Sequence, residues 1–264
     1  MDITTHTSQM EITAVHERIN RLLAAAAAAL LMLVLKRHYS LAVAEDLLWI
    51  LAPTARLTAW VGGVQPVWEA GVGYADFGRG IVIAPACAGV NFMIMAFGLA
   101  TFFGLGRLRR FAGLLAWLVF SFAAAYLAAL GVNTLRIVLS TALYRADIYS
   151  AWLTPDALHR VAGVWIYLGG LGLFFRGLQP IMNRFANRFD PARRSFDAIR
   201  SPWLPLGWYL LGAVGVPAVN RLFKAPPSDF GIHCLMVLAA AMVLWGGGLL
   251  AKVLIARYIA TGMR

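Results

Sequence analysis

The chain has 264 residues, 61% hydrophobic and only 13% charged, with a mean hydropathy of +0.72, which excludes an ordinary soluble domain. Its formal net charge of +11 does not indicate nucleic-acid binding, because the basic residues sit beside apolar runs and no basic patch with interleaved stacking aromatics occurs. The two cysteines, Cys87 and Cys234, lack metal-ligand spacing, so the composition asks for no metal or cofactor and leaves a disulfide between them open.

Met1 to Asn20 is polar and reads as a loose cytoplasmic leader. Leu22 to Leu35 is an Ala/Leu run that predicts a first membrane helix, extended by Arg18, Arg21, Lys36 and Arg37, whose stems can snorkel to the headgroups. Ala42-Val43-Ala44 resembles a signal-peptidase site, but the long leader and Lys36-Arg37-His38 before it argue for an uncleaved helix. From Ser40 to Gly63 a capping serine, Glu45, Asp46, Arg56 and a central Pro53 predict two helices in the outer interface, with a full span as the alternative. Val67 to Ile83 alternates apolar with small or polar residues and predicts a short β-hairpin on the membrane surface.

The chain is uncharged from Ile81 to Gly106, which predicts a spanning helix beginning near Ala88. Arg107, Arg109 and Arg110 then form a turn that the positive-inside rule places in the cytoplasm. Phe111 to Val132 returns outward, and Thr134 to Arg145 has the spacing of an interfacial helix carrying Arg136. Pro155-Asp156 opens the next helix with His159 in its first turns, and Val161 to Phe175 crosses back on a face of Gly163, Gly169, Gly170 and Gly172 suited to close packing. A basic cytoplasmic loop, 179–202, precedes a C-terminal two-helix extension, 203–264, with uncharged runs Trp203 to Val219 and Cys234 to Ala251. The expectation is an all-α polytopic membrane protein with about six to seven transmembrane helices, a short outer-face hairpin and interfacial helices. Its parts are the leader 1–20, a membrane core 21–178, the loop 179–202 and the extension 203–264.

This topology puts Cys87, Arg136 and His159 at one membrane face. A thiol at a helix start has the positive end of the macrodipole beneath it, which favours a nucleophile. A histidine can serve as base or proton shuttle, and a guanidinium can stabilise a thiolate or an oxyanion. Each residue also has a plainer reading: Cys87 as small packing, Arg136 paired with Asp147, Asp156 or lipid phosphate, and His159 snorkelling at the interface. His233 beside Cys234 is a poorer catalytic pair, since adjacent helical residues diverge by about 100°.

The run PACAGVNF (Pro85 to Phe92), then NTLRI (Asn133 to Ile137), then HRVAGVWIY (His159 to Tyr167) resembles the exosortase/archaeosortase family of membrane cysteine transpeptidases, and the CAGVNF form looks most like the exosortase K subgroup. The resemblance covers roughly Leu47 to Phe175 and implies Cys87 as nucleophile, Arg136 as stabiliser of thiolate or oxyanion, and His159 as base or proton shuttle. Where much of the family has Ser-Gly-Leu-Arg after the cysteine, this chain has Ala88, Gly89, Val90 and Asn91, so no role of that serine or arginine carries over. Asn91, and Asn133 beside Arg136, are candidate supporting residues.

The resemblance further implies that secreted proteins with a C-terminal motif, a transmembrane helix and a basic cluster are cleaved at the outer face of a bacterial cytoplasmic (inner) membrane. Membrane lipid is the other expected partner; nucleic acid is not. Two other classes remain open: a non-catalytic membrane scaffold or assembly protein, and a lipid-phosphate transferase or transporter using Arg136 and His159.

Overall fold

A computed structural model describes residues 3–146, 154–189, 203–221 and 230–261. Helix α1, Ile3–Leu41, includes most of the stretch expected to be a loose leader. The physical reason is continuity: no glycine or proline occurs before Leu41, so nothing stops the strongly helix-forming Ala/Leu run from propagating back. Ser40 is not a cap either, because its hydroxyl donates to the Lys36 carbonyl one turn back, at 2.7 Å.

After a single 3-10 turn, Glu45–Leu47, helix α2 runs through Leu48–Gly62. Pro53 lies inside it rather than dividing it in two. Proline cannot supply the N–H that the Trp49 carbonyl would accept four residues back, and the Tyr126 hydroxyl donates to that carbonyl instead, at 2.8 Å. Ile50, Leu51, Thr54, Ala55 and Thr58 form the buried face of α2. Its 15 residues reach only about 22 Å, short of a hydrocarbon core of about 30 Å.

The expected hairpin is a three-stranded antiparallel sheet in the order β1 (Val67–Glu69), β2 (Gly73–Asp76), β3 (Ile81–Ile83). The acidic residues that break up the apolar pattern hold its turns. Glu45 accepts from the Gly71 N–H at 2.8 Å, and Asp76 accepts from the N–H groups of Gln65 at 2.9 Å and Arg79 at 3.1 Å.

Helix α3, Val90–Leu105, packs along α1. Lys36 Nζ donates to Asn91 Oδ1 at 2.9 Å near one end, and Arg109 pairs with Glu17 at 2.6 Å near the other. Glu17 and Lys36 are about 28 Å apart along a helix of 1.5 Å rise, close to the thickness of a bilayer's hydrocarbon core. The two polar pins therefore bracket a membrane-spanning pair, with the Cys87 turn at one face and the Arg107 to Arg110 turn at the other.

Helix α4 is unbroken over Phe111–Arg145, 35 residues, so the segment around Arg136 is not a separate interfacial helix. Gly131, five residues before Arg136, could have interrupted it there, but one glycine costs a helix only about 1 kcal/mol. Helix α5, Pro155–Phe189, likewise continues through Pro180 and well into the expected loop 179–202. The reason is packing: the Phe185 ring lies 5.1 Å from that of Trp117 and 5.5 Å from that of Phe120, and Phe189 sits against Gly113. Arg184 and Arg188 are thus helical, while Arg193, Arg194 and Arg200 lie outside the described residues.

The glycine face of α5 is less tight than its sequence suggests. A Cβ on Gly169 would meet nothing within 4 Å, and one on Gly172 would make an ordinary 3.7 Å contact with Trp245. Close approach occurs elsewhere, where a Cβ on Gly104 would run into the indole of Trp117, itself 1% exposed and donating to the Ala100 carbonyl at 2.8 Å.

The C-terminal part holds α6 (Trp203–Leu210), a π-helical turn Leu211–Gly215, α7 (Val216–Arg221) and α8 (Phe230–Thr261). Among the described residues five helices are long and apolar enough to cross a membrane, within α1, at Pro85–Leu105, and within α4, α5 and α8; Trp203–Ala218 is shorter. The chain is a multi-pass helical membrane protein. By packing it forms two compact units, Met1–Thr134 with Leu173–Ser201, and Leu135–Gly172 with Pro202–Arg264.

Candidate functional site

Cys87 ends a single 3-10 turn, Pro85–Cys87, that joins β3 to α3. Ala84 is extended (φ −83°, ψ 170°), Pro85 fixes the first residue of the turn, and the Cys87 N–H donates to the Ala84 carbonyl at 2.8 Å. Gly89 follows in the left-handed region (φ 77°), and α3 begins only at Val90. This corrects the expected helix start near Ala88: the left-handed residue separates the cysteine turn from the helix, so Cys87 is not a residue of α3. Its side chain is half-buried, and both Cys87 and Cys234 are free thiols.

The cysteine turn is fixed from α4. Asn133 is fully buried, and its Nδ2 donates to the Cys87 carbonyl at 2.5 Å. A buried amide in an apolar helix needs such a partner. Gly89 makes the approach feasible, since a Cβ there would stand 2.9 Å from Asn133 Cγ and 3.0 Å from its Cβ. The glycine is therefore required twice, by its backbone conformation and by contact. Asn91, the other candidate supporting residue, instead ties α3 to α1: its side chain is exposed, and its Oδ1 accepts from Lys36.

Arg136 and His159 belong to the second unit, whereas Cys87, Asn91 and Asn133 belong to the first. Arg136 is half-buried and packs on α5, with Cζ 5.2 Å from the Tyr167 ring centroid and Cδ 4.0 Å from the position of a Cβ on Gly163. This is cation–π geometry. The Arg136 Nε is buried with no hydrogen-bond partner among the described residues.

His159, Gly163 and Tyr167 recur every four residues along α5 and share one stripe of that helix, so Arg136 packs on the stripe that His159 begins. His159 itself is exposed. Thr154 caps the helix, its Oγ1 accepting from the Ala157 N–H at 3.3 Å. Asp147 and the side chains of Asp156 and His233 lie outside the described residues.

Two contributors were not singled out by sequence reasoning. Tyr167 lay within the HRVAGVWIY motif, and its spacing of eight from His159 is the signal that places it on the same stripe. Lys36 was read as a snorkelling end of α1, and nothing local to it indicates Asn91 as its partner. Comparison of the chain with protein-family models, curated proteins and solved structures returned no match.

Proposed function

We propose that this protein is a membrane-embedded cysteine peptidase or transpeptidase of the exosortase kind, acting on the C-terminal sorting tail of secreted proteins at the outer face of a bacterial inner membrane. The observation that carries this reading is the Asn133–Cys87 bond. A fully buried amide holds the main chain of a half-buried free thiol in a Pro/Gly turn, which fixes where that thiol stands. Arg136 and His159, from the other two motifs of the resemblance, supply the remaining chemical roles.

In the chemistry that the resemblance implies, the Cys87 Sγ passes its proton to His159 and attacks the scissile carbonyl carbon, forming a C–S bond and an oxyanion that Arg136 stabilises. The C–N bond then breaks, the leaving amine takes the proton from His159, and a thioester remains. An acceptor amine or water attacks the thioester and gives up a proton to His159, which returns it to the departing Cys87 sulfur. Every bond made and broken lies within these groups, the substrate and the acceptor.

The test is Cys87→Ser expressed in the native membrane in place of the unsubstituted chain. Secreted proteins with the tripartite tail are expected to accumulate uncleaved, and Arg136→Ala and His159→Ala to do the same. Normal processing by the serine variant would sink the proposal. Loss of function on substituting Arg136 or His159 with indifference to Cys87 would favour the lipid-phosphate reading.

A further inference from the structure

Resting on the cysteine reading above, we infer that the free edge of β3 is the docking rail for an extended polypeptide, which adds there as a further strand and is carried to the Cys87 thiol. The sheet order leaves β1 and β3 as edges. Strand β3 pairs with β2 through Ile83 with Tyr74, Val82 with Ala75 and Ile81 with Asp76. The Ile83 carbonyl is turned toward β2, against the Cβ position of Gly73. In an antiparallel ladder alternate residues face the partner strand, so Val82 turns its N–H and C=O away from β2. Among the described residues no hydrogen bond reaches Val82 from outside the sheet, and its side chain is 44% exposed.

The two edges differ in chemistry. Strand β1 is preceded by Pro66 and carries Glu69, both of which discourage pairing with another chain. Strand β3 is Ile-Val-Ile, with neither charge nor proline. Its backbone remains extended through Ala84 and then enters the Cys87 turn. The Ala84 carbonyl is already taken by the Cys87 N–H, so the edge offers the Val82 N–H and C=O and then the Ala84 N–H. Main-chain pairing of this kind gives affinity without demanding one side-chain sequence. It ends beside the only residue in this unit proposed to form a covalent bond with a peptide.

The experiment uses the full chain with Cys234→Ser in lipid nanodiscs and measures the rate of Cys87 alkylation. The probes are acetyl-Val-Thr-Val chloromethyl ketone and N-chloroacetyl-Val-Thr-Val amide, which present the electrophile at opposite ends of an added strand, with iodoacetamide as the small reagent. At least one peptide probe is expected to label Cys87 tenfold or more faster than its backbone N-methylated counterpart. Val82→Pro, which removes the outward N–H, is expected to abolish that advantage while iodoacetamide still alkylates Cys87 at the unsubstituted rate.

Equal rates for N-methylated and unmethylated probes overturn the inference, and this comparison needs no substitution in β3. A dimer that Val82→Pro dissociates would also overturn it, by assigning the edge to a second copy. If iodoacetamide itself leaves Cys87 unlabelled, the cysteine reading fails as well; if Cys87 labels but without N–H dependence, only the rail fails.

Discussion

Tyr126→Phe isolates one hydroxyl. The ring of Tyr126 stacks on Trp49 with centroids 6.0 Å apart, and phenylalanine keeps that contact while removing the donor to the Trp49 carbonyl. The carbonyl then has no helical donor, because residue 53 is proline. Losing that hydrogen bond costs about 0.5–1.5 kcal/mol. Pro53→Ala restores an N–H at the position that bonds to residue 49. In that background Tyr126→Phe is expected to cost less than about 0.5 kcal/mol, since the carbonyl has another donor. The assay is a double-mutant cycle on unfolding of the purified protein in mild detergent, followed by circular dichroism. An equal loss from Tyr126→Phe in both backgrounds would refute the reasoning, because the hydroxyl would then not be replacing the donor that Pro53 lacks.

Gly89→Ala is expected to cost about 1–2 kcal/mol for its left-handed backbone and about 1–3 kcal/mol more for displacing Asn133. Gly80→Ala, at φ 66° with nothing within 4 Å, is expected to show the backbone cost alone, so equal midpoint shifts would remove the Asn133 contact from the account. Asn133→Leu strands the Cys87 carbonyl and should destabilise by about 1–3 kcal/mol, with faster proteolysis at the 84–89 turn; unchanged cleavage there would count against its anchoring role. Gly104→Ala, which drives a methyl into the buried Trp117, should lower the unfolding midpoint by the equivalent of about 1–3 kcal/mol. Gly106→Ala, whose nearest neighbour is the Phe103 carbonyl at 3.9 Å, serves as its control, and parity between the two would show that the helix pair gives way. A Glu17→Gln, Arg109→Gln cycle should show coupling of about 0.2–1 kcal/mol that shrinks as salt is raised; salt-independent coupling would mean that the contact is not mainly ionic.

Hydropathy alone identified a helical membrane protein, because a bilayer leaves few ways to satisfy the polar groups of the backbone, and the alternation of apolar with small or polar residues placed a short β element before Cys87. Local sequence was less able to set the ends of helices. Nothing around Pro53 or Pro180 announces that each is tolerated within a helix, because Tyr126 and the rings of Trp117 and Phe120 are remote in sequence. The unbroken α4 was hidden for a related reason: Asn133 and Arg136 look like the polar start of a surface helix until Asn133 is seen buried against Gly89. The residue types for thiol chemistry were legible as motifs, since motif spacing is local. The anchoring of Cys87 by Asn133, the turn of Asn91 toward Lys36 and the stacking of Arg136 on Tyr167 were decided by tertiary structure alone, because hydrogen bonds and ring contacts between helices depend on which faces meet.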